Sequence, residues 1–256
     1  IMDLRLEGIS HNYGSLKVLG GINLAIEHGK ILCVVGPSGC GKSTLLRLIG
    51  GLERPSAGKV MQIGEAPSDS LNPLTYIFQD FALLPWRTVA GNVNLVLEDQ
   101  KLSRQRRKDI VENVLQRTKL SDFADALPRQ LSGGMKQRVA IARALAVSPA
   151  VFLMDEPLSA LDSQTRELLI EDLVDLWTRE PFTAVYVTHN LAEAVRLGHS
   201  VAVFSRRPGQ IREVVKIGTP LADRKVTDAE LIDRQDYLWR LMKDEALAAD
   251  LELSDA

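Results

Sequence analysis

The sequence predicts an α/β fold: a parallel sheet core with an N-terminal antiparallel β portion and an inserted α-helical subdomain. Three observations carry this. The apolar runs "AVFLMDE" (Ala150–Glu156) and "FTAVYVTH" (Phe182–His189) read as buried strands. Between them, Leu169, Leu173, Leu176 and Trp177 recur at i, i+4, i+7 and i+8, one helical face, so the stretch is a βαβ unit. Second, "KILCVVG" (Lys30–Gly36) is a continuous β-branched run ending in glycine, the pattern of a strand buried on both faces. Third, from about Thr88 to Val147 the patterning is helical and contains no convincing strand.

The remaining elements follow in chain order. "DLRLEGIS" and "INLAIEH" alternate apolar and polar residues, the period of half-exposed strands. The helix after Gly36 opens at Gly41–Lys42 and is expected to run through "STLLRLIGGL" until Pro55 stops it. Past Gly218–Pro220, Leu221–Ala256 holds ten acidic and five basic residues. It predicts a helix around Asp228–Ala246 with Leu238, Leu241 and Met242 on one side.

The 256 residues are 45% hydrophobic and 25% charged, values for a globular chain of one large domain or a domain plus subdomain. A net charge of -2 gives no global attraction to nucleic acid or an anionic membrane. Cys33 and Cys40 fit no metal-ligand spacing. They read as reduced thiols of a cytosolic protein, one in a buried strand and one at a free loop position. No apolar stretch approaches the roughly 18 residues that span a bilayer, and no signal-peptide pattern opens the chain. A soluble, cytoplasmic protein is expected unless something else holds it at a membrane.

Gly36-x-x-x-x-Gly41-Lys42-Ser43 matches the P-loop pattern between a strand and a helix, which makes the core a P-loop NTPase (RecA-like) sheet. Gly36, Pro37, Ser38, Gly39, Cys40, Gly41, Lys42, Ser43 and Thr44 form the cradle, its backbone N–H groups converging on a phosphate. Lys42 reaches the β- and γ-phosphates and Ser43 ligates Mg2+. The bland alternative is a glycine-rich turn with an exposed lysine. At the end of "VFLMDE", Asp155 is placed to hold the metal through water, and Glu156 to orient and deprotonate the attacking water. A second anion site opens at "LSGGMKQRVAIARAL" (Leu131–Leu145), where a serine and two glycines precede a helical run. One chain thus carries two phosphate cradles.

With Gln79, Ser159–Asp162 and His189 added, the set resembles the ATP-binding subunit of an ABC transporter, in that family's order over nearly the whole chain. The resemblance explains the second cradle. In that family two cassettes pack head to tail, so Ser132, Gly133 and Gly134 of one chain would cover the ATP on the P-loop of the other. It further implies that Tyr13 stacks on adenine and that Gln79 touches Mg2+ and the attacking water and senses the membrane partner. His189 would contact the γ-phosphate, and Asp162 would lie in the loop coupling the two sites. Implied bounds are 1–220 for the cassette and 221–256 for a short C-terminal helical extension. Within the cassette, 1–87 and 148–220 are the catalytic core, and 88–147 the helical subdomain with the signature motif.

"FQDFALLPWRTVAGNV" (Phe78–Val93) is similar to the Gln-loop region of the nitrate/sulfonate/taurine importer group, and "SRRPGQI" (Ser205–Ile211) and "YLWRLMKDE" (Tyr237–Glu245) resemble the corresponding later parts of that group's members. The resemblance implies a peripheral subunit at the cytoplasmic face of the cell membrane. It would hydrolyse ATP to drive import of a small anion such as nitrate, sulfonate/taurine or bicarbonate. Implied partners are a second cassette, permease subunits docking on Gln79–Val93 and, indirectly, a periplasmic or lipoprotein substrate-binding protein. Two alternatives stand beside it: a soluble ABC-type ATPase or nucleotide switch, and a Trp86 buried between the two subdomains. The basic cluster "KLSRQRRK" (Lys101–Lys108) has no interleaved aromatics and is read as an exposed helix face, with no nucleic-acid partner.

Overall fold

The computed structural model describes residues 2–254, with side chains through residue 245. Residues 1, 255 and 256, the ends of the expected bounds, lie outside the described residues. Strands β1 (Met2–Tyr13), β2 (Leu16–Ile26) and β4 (Ala57–Gly64) form an antiparallel sheet in the order β2-β1-β4. A six-stranded sheet runs β5-β6-β7-β3-β8-β9. Its strands are β3 (Ile31–Val35), β5 (Leu74–Ile77), β6 (Val151–Asp155), β7 (Thr183–Val187), β8 (Ser200–Phe204) and β9 (Ile211–Lys216). All its pairings are parallel except β8–β9.

Side chains along these strands alternate between two cores. Ile31, Cys33 and Val35 of β3 join Phe152, Met154, Tyr186, Val201 and Val203 on one face. Leu32 and Val34 join Val151, Leu153, Val185, Val187 and Phe204 on the other. A strand buried on both faces has no polar positions to spare, which is why β3 reads as an unbroken apolar run. The first face is covered by α5 (Ser163–Arg179), α6 (Leu191–Leu197) and α7 (Ala229–Ser254), and continues into α2 (Val89–Asn94), α3 (Arg104–Arg117) and α4 (Gly133–Leu145). The second face meets α1 (Lys42–Ile49) and the antiparallel sheet.

The structure corrects two expectations. Helix α1 ends at Ile49, short of Pro55. Gly51, at φ 70°, turns the chain, and Leu52 N donates to Arg47 O at 2.9 Å, so the glycine pair stops the helix before proline can. Cys40 is not at a free loop position: it is fully buried in the second core. On α7, Leu238 and Met242 are buried and Leu241 is half-buried, while the basic cluster opens α3 as an exposed face capped by Ser103.

Candidate functional site

The C-terminal ends of four neighbouring strands gather the chemistry at one edge of the sheet. β3 runs into the Gly36–Thr44 loop, β6 ends on Asp155, β7 leads to His189, and β5 leads to Gln79. The registers Ile77 with Met154, and Asp155 with Val187, keep these ends level. Such a crevice, where the strand order switches from β7 to β3 to β8, is the usual ligand position of an open α/β sheet.

Within the loop, Gly41 caps α1 at φ 105°, and a Cβ there would sit 2.7 Å from Leu19 Cδ2 and 3.0 Å from Val18 Cγ1. The position therefore excludes side chains on both backbone and packing grounds. Lys42 is buried, its ammonium donating to Gly36 O at 2.8 Å and Pro37 O at 2.9 Å. Ser38 and Gly39 are exposed at the tip, and Thr44 is buried behind Ser43. Burial raises the Cys40 thiol against the lowering influence of Lys42, so it is a packing group and not a nucleophile.

Ser43 Oγ donates to Asp155 Oδ1 at 3.0 Å, and Tyr76 OH donates to Oδ2 at 3.1 Å. Burial, then the charge and hydrogen bond of Asp155, push the Tyr76 hydroxyl well above the usual phenol range, so it stays protonated and donating. Tyr76 carried no sequence signal, lying in a four-residue strand. A hydroxyl and a carboxylate meeting beside a phosphate cradle are hard oxygen donors that fit Mg2+, an ion bound by few side chains plus substrate phosphates. Among the described residues, no cluster of three or more His, Cys, Asp or Glu residues able to cage a metal occurs.

Glu156 follows Asp155 at φ 45°, with its N–H held by Val187 O at 3.0 Å. Its Oε2 lies 3.0 Å from His189 Nδ1. Beneath His189, the buried Glu193 carboxylate accepts from Thr188 Oγ1 at 2.8 Å and Tyr186 OH at 3.0 Å, with Arg166 Nε at 3.3 Å. Burial raises the Glu193 carboxyl despite these partners. The cluster fixes the turn that presents His189. Gln79 is exposed, two residues past β5. Tyr13 is 44% exposed, with its hydroxyl on Glu53 Oε2 at 2.5 Å and its ring edge-on to His11 at 4.7 Å, which leaves ring surface open.

The second cradle is built differently. Ser132 is exposed and caps α4, accepting from Met135 N at 3.3 Å. Asp162 caps α5 by accepting from Thr165 N at 2.9 Å, and that backbone hydrogen bond holds its carboxyl below the usual range. The two helix starts touch: a Cβ on Gly134 would lie 2.6 Å from Thr165 Cγ2, and one on Gly133 would lie 3.0 Å from Leu161 Cδ2. Deeper along the pair, Arg138 Nε donates to Asp172 Oδ2 at 2.8 Å, a structural tie between α4 and α5. Gly134→Ala is expected to destabilise the fold by about 1–3 kcal/mol through overpacking. The check is the urea midpoint; an unchanged midpoint would show that α4 can step away from α5 at no cost.

A parallel sheet whose β3 runs through the Gly36–Thr44 P-loop into α1, with Asp155 at the end of a neighbouring strand, is the arrangement of a P-loop ATPase. The ABC transporter family profile matches residues 19–159, and the chain belongs to that family. It is an ATP-binding cassette ATPase, as the resemblance of its motifs implies. It is 46% identical over 207 residues to the nitrate import ATP-binding protein of Synechocystis sp., covering 81% of this chain and 78% of that one. It is 37% identical over 234 residues to the aliphatic sulfonates import ATP-binding protein of Bacillus cereus, covering 89% and 91%. Among solved structures, a dimeric ATP-binding cassette in a post-hydrolysis state with ADP and Pi aligns with TM-score 0.70 at 32% identity. That alignment covers 85% of this chain and 100% of the other.

Proposed function

We propose that this chain is the ATP-hydrolysing subunit of a membrane importer for a small anion of the nitrate, sulfonate/taurine or bicarbonate kind. It works as one of a pair of cassettes, peripherally, at the cytoplasmic face of the membrane. Permease subunits dock on it, and a periplasmic or lipoprotein substrate-binding protein serves it indirectly. Residues 1–87 with 148–220 act as the catalytic core, 88–147 as the helical arm, and 221–256 as an extension. The named import subunits among its relatives support the transport class.

The observation that carries the docking half is an outward-facing turn beside a groove. Trp86 is 73% exposed, not packed between subdomains. The turn is pinned from below by buried Asn92, which bonds Leu84 N at 2.7 Å, Leu84 O at 3.1 Å and Arg87 O at 3.0 Å. Beside it a groove of about 670 Å³ is lined by Leu52, Tyr76, Phe78, Ala82 and Val96, with Leu52 61% and Phe78 46% exposed. Arg143 stiffens one wall by donating to Ala82 O at 2.6 Å and Phe81 O at 3.0 Å. Large apolar side chains held out in a rigid frame suit a helix laid in from a partner. No helix among the described residues is long and apolar enough to cross a membrane.

In the nucleotide site, Lys42 leaves the Gly36 and Pro37 carbonyls for the β- and γ-phosphates, and Tyr13 offers its open ring to adenine. Ser43, Asp155 and Gln79 would hold Mg2+, which would supply charge neutralisation on the phosphates. Glu156 takes the proton of the attacking water, His189 contacts the γ-phosphate and helps place that water, and Ser132, Gly133 and Gly134 of the second chain close the γ-phosphate side with Asp162 beside them. Trp86→Ala is expected to reduce co-purification with the permease subunits at least about ten-fold, the loss of one buried aromatic anchor. Its ATP affinity stays unchanged. Unfolding, or lost ATP affinity, would return Trp86 to the core and remove the docking argument.

A further inference from the structure

The nucleotide site and the groove meet at one side chain. Tyr76 lies in β5, and its ring stacks on Phe78 with centroids 4.4 Å apart and 29° between planes. Both rings line the groove, together with Gly50 and Leu153. The hydroxyl of the same tyrosine donates to Asp155 Oδ2 at 3.1 Å, while Ser43 holds Oδ1 at 3.0 Å. When a cation draws the Ser43 hydroxyl away, Asp155 remains fixed through its other oxygen. A phenol is rigid between ring face and hydroxyl, so a shift of the ring against Phe78 is passed to the carboxylate. Partners that orient a metal-side carboxylate in this way set its effective affinity.

We propose that Tyr76 is a positioning residue. It fixes the metal-side carboxylate of Asp155 and, because its ring is part of the groove wall, makes that carboxylate respond to how the groove is packed. This rests on the assignment of Ser43 and Asp155 to Mg2+ made above, and it is separate from Gln79, which lies in the loop beyond the strand.

The test avoids turnover: Mn2+ is titrated into the full chain carrying ADP and followed by the paramagnetic resonance signal of free Mn2+. Tyr76→Phe keeps the ring and its stacking and deletes only the hydroxyl. It is expected to weaken Mn2+ binding about ten-fold while leaving ADP affinity in EDTA unchanged. Phe78→Ala is expected to weaken Mn2+ binding about two-fold in the native background and to have no effect in the Tyr76→Phe background. Unchanged Mn2+ affinity in Tyr76→Phe overturns the proposal. So does an equal loss of metal-free ADP affinity, the mark of a merely structural role. Additive effects of the two substitutions overturn the link to the groove. Asp155→Ala separates the layers: if it spares Mn2+ binding, the metal assignment fails and takes Tyr76 with it. If it weakens binding while Tyr76→Phe does not, only the role of Tyr76 is wrong.

Discussion

Glu156→Gln is expected to lower steady-state ATP turnover by about 10²–10⁴-fold, the contribution of a positioned general base, with ATP affinity unchanged. The substitution is nearly isosteric. The amide can still meet His189 Nδ1, now 3.0 Å from the carboxylate, and the backbone anchor to Val187 O is untouched. What it removes is the capacity to accept a proton at pH 7. The position itself supports the assignment. Glu156 sits at φ 45°, a backbone conformation that costs a non-glycine residue of order 1–3 kcal/mol and is retained where it aims a side chain. Its carbonyl is tied down by Ser159 Oγ at 2.9 Å. Phosphate release and equilibrium ATP binding should be measured on one preparation. Equal phosphate release from both chains would remove Glu156 from the mechanism, whatever its contact with His189. The Gln chain should also accumulate as a dimer with ATP on size exclusion, because the step that reopens the pair is blocked.

The parts of the molecule that a sequence exposes are those whose physics is local. β3 and β7 are buried on both faces, so their apolar runs are unbroken, and α5 declares itself through Leu169, Leu173 and Leu176, all buried on one side. β4 is an edge strand with mostly exposed residues and a glycine at position 58, and β5 has only four residues, so neither carries a pattern strong enough to stand alone. β8 and β9 were legible in principle: "SVAVF" is an apolar run, and "IREVVK" places buried Val215 between exposed neighbours. The site divides in the same way. Lys42 and Ser43 follow from the spacing of the glycine-rich loop, and Asp155 and Glu156 from the end of an apolar strand, because each pair sits on one short local turn. Tyr76 on Asp155, and Asn92 beneath the Trp86 turn, arise from contacts across elements, and neither residue type nor spacing announces them. Thr165 against Gly134 is the same kind of fact. Gly134 of "LSGGM" is demanded by the packing of α4 on α5, a reason independent of any phosphate.

Ser132→Asp is expected to abolish ATP-dependent pairing and to lower turnover by at least about 10²-fold, while ATP binding to the single chain is kept. Aspartate caps a helix as well as serine does, so the bond to Met135 N and the start of α4 survive, and Ser132 is exposed enough to admit the larger group. In head-to-tail pairing the new charge would face the γ-phosphate of the opposing chain. A monomer cannot tell this arrangement from one in which Ser132 serves its own nucleotide, but a mixture can. Chains carrying Ser132→Asp, combined with chains carrying Lys42→Ala, form one composite site from an intact P-loop and an intact signature, beside one site broken on both sides. Head-to-tail sharing therefore predicts that the mixture recovers turnover that neither variant shows alone. Recovery fixes the two cradles of each chain as halves of two different sites. A mixture as inactive as its components would place Ser132 in its own chain's site and dissolve the reason for a second cradle.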